Sequence, residues 1–117
     1  MRARNIARAT GLPAVVMDRG TVRRMERNAT RACSLLGAMS NPSRLLILCH
    51  LAEGEKSVSE LEPLIGLSQS ALSQHLAVLR KKKLVRTRSD GQSIHYSLAS
   101  SEAVALMHTL HEQFCKC

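Results

Sequence analysis

Residues 57–84 read SVSELEPLIGLSQSALSQHLAVLRKKKL. Ser57 or Ser59 can cap a short helix carrying Glu60, Leu61 and Leu64, and Gly66 can adopt the positive φ that ends it. Ser68 then caps a second stretch whose apolar residues, Ala71, Leu72, Leu76 and Leu79, recur at helical spacing. Two short helices joined by a tight glycine-containing turn make a helix-turn-helix. The polar residues of the second helix sharpen that reading. Gln69, Ser70, Ser73, Gln74 and His75 are short or forked hydrogen-bonding groups suited to reading base edges in a major groove, whereas a merely solvated face more often carries Glu and Lys.

Immediately downstream, Arg80, Lys81, Lys82 and Lys83 form a cationic cluster. Residues 84–99, LVRTRSDGQSIHYSLA, then form two β-rich runs around Asp90-Gly91, a strong hairpin signal. The pattern predicts a wing, with Arg86, Arg88, Gln92 and His95 placed for phosphate or minor-groove contact. Within such a charge run one or two lysines are expected to be simply solvated.

Upstream, residues 40–57 read SNPSRLLILCHLAEGEKS. Asn41 can cap a helix whose first position is Pro42, where a missing N–H costs nothing. Leu45, Leu46, Leu48 and Leu51 would bury it, Cys49 lies beside that run, and Gly54 marks its end. Before it, Val22, Met25, Ala29, Ala32, Leu36 and Met39 recur at spacings of three and four, predicting one amphipathic helix over Thr21–Met39. Cys33, at the edge of that stripe, reads as a small packed residue. A last helix begins at Ser100 or Ser101 and carries Ala103, Leu106, Met107, Leu110 and Phe114. The first stripe, lined by small and flexible residues, suits a core helix or equally a dimer-packing helix; the last is too sparse to bury its helix alone, and together the two could build a symmetric dimer. The expected fold is therefore mainly α with a β-hairpin wing, a homodimeric winged helix-turn-helix.

Composition narrows the function. At 117 residues the chain has room for one core. With one Phe, one Tyr and no Trp, that core must be aliphatic. Seventeen Lys and Arg against nine acids give a formal charge of +8, which steers a protein toward polyanions. Double-stranded DNA is the leading partner. Anionic membrane is the competing one, although no run approaches the roughly 18 apolar residues of a membrane span. Residues 1–20 are basic, with Arg2, Arg4 and Arg8 preceding the first acid, Asp18, and only superficially resemble a transit segment. Lacking the continuous apolar stretch of a secretory signal, they read as a poorly ordered arm before a domain over 21–117, in a cytoplasmic protein. No C-x-x-C motif, nucleotide loop or Ser-His-Asp grouping argues for an enzyme, and no cofactor is implied. A sequence-blind packaging protein is the remaining non-enzyme reading. Cys33, Cys49, Cys115 and Cys117 do not form a small secreted disulfide framework and point instead to metal binding, reactive thiols or packing.

The element order, together with LLGAMSNPSRLLILCHL (35–51), LSQSALSQHLAVLRKKKLVRTR (67–88) and IHYSL (94–98), resembles the ArsR/SmtB family of winged-helix repressors over about residues 32–115. The resemblance implies a homodimer with its recognition helix within Ser68–Arg80 and its wing over Arg86–Tyr96. Such a dimer would read an inverted-repeat operator with half-sites about one DNA turn, or a multiple, apart.

Members of the family differ in what they sense. Arsenic and cadmium sensors commonly carry a Cys-x-Cys type motif where this chain has SVSELE. Zinc and nickel sensors combine an Asp-x-His with ligands on the terminal helix. Here His108, His111, Glu112 and Cys115 stand at spacings of three and four with no Asp-x-His upstream, so a metal-responsive repressor using those four is the alternative. Cys49 and Cys115 match the family's dithiol subgroup, some of whose members respond to sulfide-derived persulfides and oxidants. The resemblance thus implies a sulfur or oxidant effector, with crosslinking of Cys49 and Cys115 releasing the operator. Sensor thiols need a positive neighbourhood, and Lys116, His111 and His50 predict lowered thiol pKa values. Cys115 and Cys117, at about 100° per helical residue, point to different sides and make poor joint ligands.

Overall fold

The computed structural model describes residues 17–115. In order they form α1 (Arg19–Met39), α2 (Pro42–Ala52), β1 (Lys56–Ser57), α3 (Val58–Ile65), α4 (Gln69–Lys81), β2 (Val85–Asp90), β3 (Ser93–Leu98) and α5 (Ser101–Phe114). Most of the expected basic arm, and Cys117, lie outside the described residues. The chain divides into two compact units, residues 1–33 and 34–117, each taken by itself below.

In the first unit, α1 starts two residues earlier than the apolar stripe predicts. Asp18 supplies the reason: its carboxylate accepts the Thr21 backbone N–H at 2.7 Å, and its carbonyl accepts from Val22 at 3.0 Å. Those capping bonds satisfy donors that an uncapped helix leaves open. The same Thr21 bond holds the Asp18 carboxyl below the usual carboxylate range. Val22 and Met25 are exposed, as a stripe without a covering surface must be. Cys33 is exposed as well, which corrects its reading as a packed residue.

The second unit is built around leucine. Ile47 and Leu48 of α2, Leu61 of α3 and Leu72, Leu76 and Leu79 of α4 are fully buried, and Leu84, Val85 and Ala103 close the cluster. Each such aliphatic side chain contributes roughly 1.5–3 kcal/mol relative to exposure. The caps fall where residue type places them. Asn41 accepts from the Arg44 N–H with Pro42 opening α2; Ser57 and Glu60 form a reciprocal capping box on α3; Gly66, at φ 79°, ends α3; Ser68 accepts from Ala71.

Two features go beyond the expected hairpin. The sheet has three strands in the order β1-β3-β2, because Lys56 pairs with Tyr96 and Ser57 with His95 before α3 begins. The turn also sits one residue later than Asp90-Gly91 suggests. Asp90 pairs with Ser93 inside the ladder, leaving Gly91-Gln92 as the two-residue loop, with positive φ at Gly91. Positive φ at the first loop position alone is the type II′ pattern, whose twist suits flanking strands.

Candidate nucleic-acid interface and dithiol

Burial of Leu72, Leu76 and Leu79 fixes which face of α4 turns outward. Gln69, Ser70, Ser73 and Gln74 lie on that outward face, with the cap Ser68 and the last-turn Arg80 and Lys81 also exposed. Cations in the last turn also complement the helix dipole. His75 flanks this face. It is half-buried, and its Nδ1 lies 3.5 Å from Arg44 Nη1. His75, expected to read bases, thus also makes a contact between α2 and α4.

Arg44 is the residue that sequence reasoning missed. Its Nε donates to the Ala38 carbonyl at 2.6 Å and its Nη2 to the Gly37 carbonyl at 3.3 Å. It thus ties the last turn of α1 to the recognition helix. The available signal was its place at the third helical position after the Asn41 cap, where its backbone is fixed.

On the wing, Arg86 is exposed and Gln92 sits in the turn. Arg88 is placed there too, but it donates to Glu55 through Nη2 at 2.6 Å and through Nε at 3.2 Å to both carboxylate oxygens. The Arg88 bonds hold the Glu55 carboxyl below the usual carboxylate range. Part of the predicted wing charge is thus neutralised inside the protein. His95 lies 3.9 Å from Asp90. Two shallow clefts flank Arg80. One, of about 430 Å³, is lined by Ser73, Ala77, Arg80, Lys81 and Tyr96; the other, of about 420 Å³, lies between the end of α4 and β2.

Cys49 and Cys115, 66 positions apart, are brought into electrostatic range of each other. Both are free and exposed. Packing around the Cys49 sulfur pushes its thiol above the ordinary range, and the nearby Cys115 thiolate adds to the effect. The lowered value expected for Cys49 is corrected accordingly: His50 turns its Nδ1 to Glu53 at 3.4 Å, leaving desolvation to dominate.

The terminal-helix histidines are exposed, and His108 meets Glu112 at 3.9 Å as an i,i+4 pair. Among the described residues no group of three or more His, Cys, Asp or Glu side chains is gathered to hold a metal, so His108, His111, Glu112 and Cys115 do not converge.

This geometry has close counterparts. Residues 41–87 match the family described as bacterial regulatory protein, arsR family. The transcriptional activator HlyU of Vibrio cholerae is 50% identical over 92 residues, covering 79% of this chain and 85% of that protein. The chain belongs to the ArsR family. The crystal structure of the transcriptional repressor BigR from Xylella fastidiosa superposes with a TM-score of 0.77 at 42% identity, covering 86% of this chain and all of that one. A homodimeric winged helix-turn-helix DNA-binding domain from Mycobacterium bovis superposes at 0.68 with 26% identity, over 76% of this chain and 82% of that one. Membership makes this chain a DNA-binding transcriptional regulator of winged-helix fold rather than an enzyme. Among its described residues no single helix is long and apolar enough to cross a membrane.

Proposed function

We propose that this ArsR-family chain is a cytoplasmic, homodimeric repressor whose operator binding is released when Cys49 and Cys115 become linked. The reading is supported by the pairing of two free, exposed thiols, Cys49 late in α2 and Cys115 at the C-cap of α5, on the two helices that the link would join. Two exposed apolar stripes support the dimer: Val22, Met25 and Leu36 on α1, and Val104 and Phe114, the latter 81% exposed, on α5. Burying such surface between two copies is the cheapest way to remove it from water.

The chemistry balances with either effector. One cysteine thiolate attacks the outer sulfur of a persulfide RS-SH, expelling RS⁻, and the second attacks the resulting cysteine persulfide, expelling HS⁻ and leaving a disulfide. With a peroxide, the first step gives a sulfenic acid and the second releases water. The link joins α2 to the C-terminus of α5. Operator affinity then falls by the difference in stability of the link between the binding and non-binding shapes. The recognition face of Gln69, Ser70, Ser73 and Gln74 reads an inverted repeat, and Arg80, Arg86 and Gln92 hold the flanking backbone.

The test pairs mass spectrometry of persulfide-treated protein with a DNA-binding titration. Treatment is expected to join Cys49 to Cys115 and weaken binding in the wild type only. If Cys49→Ser and Cys115→Ser variants still lose DNA affinity on treatment, the switch lies elsewhere.

A further inference from the structure

The recognition helix ends on a residue that its backbone does not favour. The Lys83 N–H donates to the Arg80 carbonyl at 3.0 Å and the Leu84 N–H to the Leu79 carbonyl at 2.9 Å. This pair of bonds closes the helix only if the intervening residue is left-handed, a position glycine usually takes. Lys83 stands there at φ 63°, the sole non-glycine with positive φ among the described residues. Elsewhere the chain meets positive φ with glycine, at Gly54, Gly66 and Gly91. A side chain in that conformation costs roughly 1–2 kcal/mol, and such strain concentrates at functional positions.

The surroundings of Lys83 indicate what the side chain does. With Arg80 and Arg86 it lines the cleft of about 420 Å³ between the end of α4 and β2, whose other walls are Val85, Thr87 and Ala99. No acidic residue lines that cleft. Arg88, two residues further along β2, is by contrast taken up by Glu55. The cleft adjoins the groove between α4 and β3 through the shared Arg80, which puts it at the margin of the base-reading face.

We propose that Lys83, together with Arg80 and Arg86, clasps one backbone phosphate of the bound duplex, and that the left-handed lysine is retained for this charge. The inference rests on the DNA-binding reading above and adds a residue and a ligand group to it. A backbone phosphodiester is an anion whose contacts fix the protein's register on the duplex without reading its sequence.

Lys83→Gly and Lys83→Arg separate this role from a structural one. The probe is a random-sequence duplex, since phosphate contacts are indifferent to sequence. Lys83→Gly is expected to melt at or above the wild-type temperature, yet bind the duplex roughly five- to ten-fold more weakly at about 0.1 M salt, with a log–log salt slope shallower by about 0.9. Lys83→Arg should keep the wild-type slope. A Lys83→Gly protein with unchanged affinity and slope, beside a wild type that binds, overturns the phosphate role alone. A wild type that binds no duplex overturns it together with the DNA-binding reading.

Discussion

Arg88 and Glu55, 33 residues apart in the chain, are locked by a bond of 2.6 Å between Nη2 and Oε1 with two further contacts from Nε. The pair spans from the loop before β1 to β2 and offsets the charge of a wing cation that itself stays exposed. Glu55→Gln should free that cation. Duplex affinity at low salt is expected to rise and the salt slope to steepen by up to about 0.9. Arg88→Gln, by the same reasoning, should weaken DNA binding less than Arg86→Gln does. Titrations at several salt concentrations check both, and equal losses at the two arginines would mean that the Glu55 pair opens on DNA.

The acid limb of stability has identifiable sources. The carboxyls of Asp18, Glu55 and Glu60 are held below their ordinary values, by the Thr21 backbone N–H, the Arg88 guanidinium and the Ser57 backbone N–H respectively. A depressed folded-state pKa contributes stability that is present above the unfolded pKa and lost as pH falls through the folded value. The thermal midpoint should therefore be flat near neutrality and decline below the usual carboxylate range. Glu60→Gln should make that decline shallower. Ser57→Ala, which removes the other half of the capping box, should cost about 0.5–2 kcal/mol at neutral pH.

The caps and the helix-turn-helix were legible because they rest on local rules. Asn41-Pro42, Ser57 with Glu60, Gly66 and Ser68 act within three or four residues, and each does in the structure what its type dictates. What escaped was non-local. β1 is two residues long and exists only because β3 returns beside it. Nothing near Arg88 in sequence announces Glu55, and nothing near His75 announces Arg44. His75 shows how residue type alone reads only half of a position: its type suits base reading, while its place on the flank of α4 also brings it to Arg44. Cys49 illustrates the same limit, since the adjacent His50 is occupied by Glu53 and packing sets the thiol instead.

The Cys49 thiol carries its own signature. Burial raises its pKa first and the Cys115 thiolate second, so the alkylation rate of Cys49 should climb at higher pH than that of a free cysteine. Replacing Cys115 by Ser removes the second cause. The Cys49 profile in Cys115→Ser is then expected to move to lower pH while remaining above the ordinary thiol value. Iodoacetamide labelling followed by peptide mass spectrometry across a pH series resolves this, and an unmoved profile would show that the sulfurs are too far apart to couple.

The recognition helix divides into a reading face and an anchoring face, and single substitutions should tell them apart. Gln74 is exposed on the first; its loss to Ala removes a forked donor and acceptor but no internal contact. Discrimination between operator and random duplex should fall by about 1–3 kcal/mol, with the melting temperature and salt slope unchanged. Arg44, on α2, meets the second face through its approach to His75 and is itself held by the Ala38 and Gly37 carbonyls. Arg44→Met leaves those carbonyls without their charged donor, at a cost of roughly 1.5–3 kcal/mol in stability. His75→Asn, which alters only the longest of these contacts, should leave discrimination intact. Denaturation curves and competition titrations on the three variants provide the check. A Gln74→Ala protein that loses stability, or a His75→Asn protein that loses discrimination, would reverse the assignment of the two faces.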